Sequence, residues 1–429
     1  MIHPRLLAVT ALLLALPAPG WAAPQADRYL EPKDLRKVGD SIRDYIEARI
    51  ANKRVNDAQV DVQNQMEKLQ RKLEKTPAQG DLLASPGDLG QAMWASYDYG
   101  RKRNKKGKVE SRKYVAEGLY TKKDPLEYAV WAPSKYSAKN AYPLVITIPD
   151  QDIDPKDHLI ERWKLADMRD HVILASPRMP EDTSTWTDAK GGLKAVMVLL
   201  RAISENYALD YDKIFLAGRG LGVPTGMAII EFFPDRFAGF IGRTGDVGDV
   251  TPANFQNLPT FFAGGGAQVT AFEEASKELG HDNCTVQADA LEEDIWNWIQ
   301  ATQRNSYPSE VTLVPGKPYP IRAYWLQVPP SDGSSPQSIH ASIDRATNTV
   351  TVEGEGMTDF TLHFNDVILD MSKEITVIAN GQEYKDFVPR SFQLVLDNIF
   401  RVRCDPGRMF VAAKSYHLPN LIEADGEGG

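Results

Sequence analysis

Lys213-Ile-Phe-Leu-Ala-Gly-Arg-Gly-Leu-Gly-Val-Pro-Thr-Gly226 is the stretch whose reading decides the fold. Residues 213–217 read as a short buried strand that stops at a glycine, and the apolar run over residues 227–233 reads as a helix ended by Pro234. Gly218, Gly220 and Gly222 stand between them, alternating with Arg219 and Leu221. A strand that turns so sharply into a helix needs glycines, because side chains would collide where the two pass. A dinucleotide-binding turn, G-x-G-x-x-G, would need glycine at position 223, where Val223 stands.

Outward from this turn, strand and helix patterns alternate. Upstream, residues 113–119 and 126–131 alternate in strand fashion, and residues 142–150 and 171–177 read as buried strands. An amphipathic segment at 159–168 lies between the latter two, and a long apolar helix at 191–207 leads into the central strand. Downstream come strands at 237–241, 259–263 and 284–288, with a helix at 270–279. This order predicts a mostly parallel sheet covered on both faces.

The run from Tyr207 to Gly218, the glycine turn, and Phe233-Pro-Asp-Arg-Phe-Ala238 resemble secreted α/β-hydrolases of the polyhydroxybutyrate-depolymerase and feruloyl-esterase type. Residues 142–148 resemble the strand before their oxyanion loop. Trp296-Asn-Trp298, with Arg304 and Tyr307-Pro308, resembles the helix that closes their catalytic domain. The resemblance covers residues 112–308 and implies an α/β-hydrolase-like fold, whose G-x-S-x-G elbow presents a serine. Gly220 stands at the serine's place.

Hydrolase chemistry needs a nucleophile, a histidine to take its proton, a carboxylate to orient the histidine, and N–H donors for the oxyanion. The segment after the last strand, Asp289-Ala-Leu-Glu-Glu-Asp-Ile-Trp296, contains no histidine. His281 precedes that strand, at the end away from the elbow. Residues 263–268, where the family's acid follows Phe261-Phe262, carry no carboxylate, and Pro149-Asp150 takes the place of the family's His-Gly oxyanion loop. The expectation is a retained scaffold with a dismantled triad. Glycine at 220 relieves backbone strain that costs a non-glycine residue about 1–3 kcal/mol.

The binding candidates around this vestigial pocket are Pro149, Asp150, Arg219, Asp246 and Asp249. Asp150, Asp246 and Asp249 are acids whose loops open on the elbow rim, but their spacing matches no metal motif, and no cofactor is expected. Arg219 is read either as an anion ligand beside the glycine N–H groups or as a cation paired with a loop carboxylate. The function expected is a non-catalytic binding or scaffold module for an unspecified protein or small ligand. The alternative is an active esterase or peptidase with a displaced nucleophile, Thr225 or Ser184.

A formal net charge of −9 disfavours nucleic acid as a partner, and 42% hydrophobic residues is ordinary for a globular chain. Residues 1–23 have a basic start, an apolar run too short to span a bilayer, and small residues around Ala22. They read as a secretory signal peptide, so a secreted or periplasmic protein without a membrane span is expected. Cys284 and Cys404 form no disulfide framework and read as free thiols, with a bridge between domains left open.

Residues 24–80 read as a helical arm, a pair of helices or one long helix with a stutter. Leu35, Val38, Ile42 and Tyr45 make one apolar stripe, and Val62, Met66, Leu69 and Leu73 make another beyond a break at 52–57. The stripes fit packing on the protein's own body or a homodimerising arm. The basic run at 101–108 reads as a solvated loop, and residues 81–308 form the α/β-hydrolase-like domain. Residues 309–424 show short strands at 321–328, 339–343, 349–353, 360–364 and 375–378, with a hairpin at Asn380-Gly381. A helix at 391–399 and a strand at 410–413 complete a small antiparallel β-sandwich. Residues 425–429 read as a frayed tail.

Overall fold

Three- and four-residue apolar spacing yields the expected helix pair, α1 (Pro32–Ala51) and α2 (Val55–Leu73). Left-handed Asn52 and Arg54 make the turn between them. The structure is a computed structural model that describes residues 28–77, 80–97, 99, 105–316, 320–331, 335–402 and 405–420. The signal-peptide expectation, the tail, Cys404 and the first half of the basic run lie outside the described residues. A third helix, α3 (Pro86–Trp94), lies in residues that the sequence reading places in the α/β domain, and its Leu89, Ala92 and Met93 join the core of α1 and α2. Gly87 and Gly90 dilute its apolar period, and Gly39 of α1 lets the two helices approach until a Cβ there would stand 2.7 Å from the Ala92 carbonyl.

The central sheet is built from β1 (Val109–Tyr114), β2 (Leu126–Trp131), β3 (Tyr142–Ile148), β4 (Ile173–Pro177), β5 (Leu209–Arg219), β6 (Gly239–Arg243), β7 (Thr260–Ala263) and β8 (Cys284–Gln287). Between them run α4 (Pro155–Arg162), α5 (Ala166–His171), α6 (Gly192–Asn206), α7 (Gly222–Phe232) and α8 (Ala267–Glu278), and α9 (Glu292–Ala301) follows β8. The strand order is β1-β2-β4-β3-β5-β6-β7-β8, with β2 antiparallel to both neighbours and every pair from β4 to β8 parallel. This is the α/β-hydrolase-like, mostly parallel sheet the sequence predicts. Side-chain alternation divides the faces: Val145, Phe215, Ala217 and Ile241 pack with α4, α5 and α9, while Ile146, Ile148, Leu216 and Phe240 pack with α6, α7 and α8. The amphipathic segment expected at 159–168 is two helices, parted where the Lys164 and Leu165 N–H groups donate to the Glu292 carboxylate.

The carboxyl-terminal third contains β9 (Glu310–Leu313), β10 (Arg322–Ala323), β11 (Leu326–Gln327), β12 (Ser338–Asp344), β13 (Thr349–Glu355), β14 (Asp359–Phe364), β15 (Ile375–Ala379), β16 (Gln382–Asp386), α10 (Phe392–Val402) and β17 (Ala412–His417). Two sheets, β10-β11-β14-β17 and β16-β15-β13-β12-β9, share one apolar core. Two expectations are corrected here. The pairing is not wholly antiparallel, because β13 and β15 run parallel. The single strand expected at 321–328 is two short ones, broken by left-handed Tyr324.

α10 also departs from expectation. Val395, Leu396 and Ile399 leave the sandwich and bury themselves with Leu35, Val38, Ile42 and Tyr45 of α1. The arm therefore packs on the protein's own body, with these stripe residues at most 1% exposed.

A buried ionic network joins the modules beneath the amino ends of the strands. Arg304 donates twice to the Asp405 carboxylate at 2.8 Å, to Asp212 at 3.0 and 3.1 Å, and to the Asp235 carbonyl at 2.7 Å. Arg408 meets Asp235 at 2.8 Å. Burial alone would raise the Asp235 carboxyl, but Arg408, Arg322, Arg236 and Arg304 outweigh it and hold it below the usual range.

Candidate functional site

At the carboxyl end of β5 the chain turns through Gly220 at φ +53° into α7. The Gly220 N–H donates to the Thr244 carbonyl at 2.9 Å, which ties the turn to the loop after β6. Gly218 and Gly222 are required by proximity: a Cβ on Gly218 would stand 2.1 Å from the Gly222 carbonyl, and one on Gly222 2.5 Å from that of Ile148. The elbow inferred from glycine spacing is therefore present.

The space above Gly220 is taken. A Cβ at that position would lie 2.2 Å from the carboxylate atoms of Asp150, in the loop after β3. The Asp150 Oδ1 accepts from the Leu221 N–H at 3.1 Å and from the Gln151 N–H at 2.9 Å. In a hydrolase elbow the oxyanion hole is formed by the N–H after the nucleophile and one from the β3 loop. Here those two positions hold an internal carboxylate at the positive end of α7.

The histidines fall as follows. His281 sits before β8, away from the elbow as expected, and His171 is exposed at the amino end of β4 beside Asp167. His158, on a helix far upstream of the position where the resembled family's histidine follows the last strand, is not singled out by the sequence. It lies on α4, 1% exposed, with Nε2 2.8 Å from the Thr147 hydroxyl, which also accepts from the Trp163 indole. Burial first, then Arg243, Arg219 and Arg162, push it down to about 3, opposed by Asp150. Such a histidine stays neutral and is a weak base near neutral pH. Its only sequence signal is a polar residue on the inner face of an amphipathic helix.

Among the described residues, neither displaced nucleophile hydrogen-bonds to a histidine. The Thr225 hydroxyl is buried and donates to the Leu221 carbonyl at 2.9 Å, and the exposed Ser184 hydroxyl donates to Asp182 at 2.7 Å. Asp246 and Asp249 are exposed on the loop after β6, and among the described residues no group of three His, Cys, Asp or Glu side chains is placed to hold a metal ion. Arg219 follows Gly218 on β5 and so projects to the α4 and α9 face, away from α7. Pro149 only leads into the Asp150 turn.

A cleft of about 920 Å³ opens at the opposite edge of the sheet. Gln91 and Trp94 of α3, Leu209 and Asp212 of β5, Arg304 and Pro406 line it, so it belongs to the junction of modules and not to the elbow.

No family model matches the chain, and no curated protein matches it in sequence. Solved structures similar in fold include a thermostable esterase, 16% identical with a TM-score of 0.39, covering 46% of this chain and 63% of that one. The match thus spans less than two thirds of that esterase. A ferulic acid esterase from Anaeromyces mucronatus is 14% identical with a TM-score of 0.38, over 48% of this chain and 95% of that one. An esterase of Thermogutta terrifontis is 11% identical with a TM-score of 0.32, over 44% of this chain and 86% of that one. The likeness concerns the fold alone.

Proposed function

We propose that the chain is a non-catalytic, hydrolase-shaped binding or scaffold module. The observation that supports this reading is the Asp150 carboxylate on the Leu221 and Gln151 N–H groups, over a glycine where a nucleophile would stand. An oxyanion forming there would meet a like charge where it needs donors, and losing one such donor already costs about 10²–10³ in rate. We further propose that the protein is exported, with residues 1–23 removed. Sequencing the amino terminus of the mature protein from the producing cell tests this, and an intact Met1 rejects it.

The activity test uses purified protein, short acyl esters, feruloyl esters, peptides and a fluorophosphonate probe. The expected result is neither turnover nor labelling for the native protein, for Gly220→Ser, or for Gly220→Ser with Asp150→Gly. The double variant removes the colliding carboxylate, and a thermal midpoint measured beside the assay shows that it is folded. Turnover or stoichiometric labelling of the native chain favours an esterase or peptidase with a displaced site. Turnover by either variant shows that a competent base exists, with His158 as the first candidate.

A further inference from the structure

On the other face of the elbow strand, three arginines converge with too little negative charge among them. Arg219 and Arg243 are Cα partners on the adjacent parallel strands β5 and β6, so both side chains project on the same face toward α4 and α9. Arg243 lies over the Trp163 ring, 5.1 Å from its centroid, and donates to the Arg162 carbonyl at the end of α4. Its nearest carboxylate is Glu292 at 3.6 Å, which already accepts from the Lys164 and Leu165 N–H groups. The side chains of Arg162 and Arg219 make no ion pair or hydrogen bond among the described residues, and the Arg162 Nε is buried without a partner. Buried His158 feels all three cations, and its Nδ1 also lacks a partner.

Adjacent like charges repel, and a buried guanidinium N–H without an acceptor is costly to leave unmade. Guanidinium groups match tetrahedral oxyanions in geometry. We propose that Arg162, Arg219 and Arg243 form a binding site for a doubly charged tetrahedral oxyanion, a phosphate or sulfate group, between the carboxyl ends of β5 and β6 and the end of α4. The site is separate from the elbow N–H groups, which Asp150 holds. Of the two readings of Arg219, anion ligand or paired cation, it keeps the first but without the glycine N–H donors. An elbow that proved catalytic would leave this inference standing.

The test is calorimetric titration of the full chain with inorganic phosphate, sulfate and glycerol phosphate, at ionic strength matched with chloride. Saturable one-site binding is expected for the native protein, weakened on the order of tenfold or more in Arg219→Gln and in Arg162→Gln. Lys385→Gln, at a distant exposed cation, should bind as the native chain does. If the site takes an ester head group, glycerol phosphate binds as well as the free ions; if it takes free ions, the glycerol ester binds more weakly. Without added anion, the Tm of Arg219→Gln should stay level or rise, because a like-charge contact has been removed. A fall in that Tm would mark a merely structural arginine and overturn the proposal. So would heats that never saturate, or affinities equal in native protein and both variants.

Discussion

The two edges of the central sheet use polar side chains in opposite ways. At the carboxyl edge Asp150 bonds to backbone N–H groups one residue and 71 residues away, directly over Gly220. At the amino edge Arg304 reaches Asp212 in β5, the Asp235 carbonyl after α7 and Asp405 beyond α10, so that one guanidinium links distant parts of the chain. The first arrangement covers the turn at Gly220. The second holds modules together and leaves a cleft between them. The contrast is between a carboxylate bonded to nearby backbone and a guanidinium that ties distant segments together.

The contrast predicts a ranking of damage. Arg304→Ala should be the most harmful change, because it strands Asp405 as a buried, unpaired charge, and the loss should be about 3–5 kcal/mol by denaturant unfolding. A loss below that of the elbow variants would place the weight of the structure at the wrong edge. Gly220→Ser comes next, at about 1–3 kcal/mol for the left-handed backbone, with the Asp150 collision added. Adding Asp150→Gly should recover the part due to collision and leave the backbone part. Asp150→Ala alone removes only a capping carboxylate, so a change of about 0.5–2 kcal/mol in unfolding free energy is expected.

A further effect is a slope of stability with pH, not a change at one pH. His158 titrates near 3 when folded and near 6.5 when unfolded, so below about 6.5 the unfolded chain takes up a proton that the folded chain refuses. Stability should therefore fall as pH drops from about 6.5 to about 3, with this contribution flat beyond that window. His158→Gln should flatten the slope without abolishing it, because buried His363 is depressed in the same way. An unchanged slope would mean that His158 is solvated and free to act as a base.

The sequence made the elbow legible because its glycines are a local steric requirement, and the parallel sheet because buried strands alternate with helices in period. Asp150 was legible as a departure from the resembled loop, but not as the acceptor of the Leu221 N–H, since that contact joins residues 71 apart. His158 was hidden because one polar residue on a helix's inner face has no spacing signature. The pairing of α10 with α1 was hidden for a related reason: an apolar stripe shows that a face is covered without showing by what. The two-residue strands β10 and β11 are too short for any period to register.

That last pairing also bears on the order in which the protein can mature. Arg49 of α1 and Asp397 of α10 meet across 348 residues of chain. At typical synthesis rates of about 5–20 residues per second, the first helices emerge on the order of tens of seconds before their partner exists. Throughout that interval Leu35, Val38 and Ile42 have only α2 and α3 to cover them. The opening segment of the polypeptide is thus among the last to be completed, and a ribosome stalled before α10 would release a chain with an adhesive amino end.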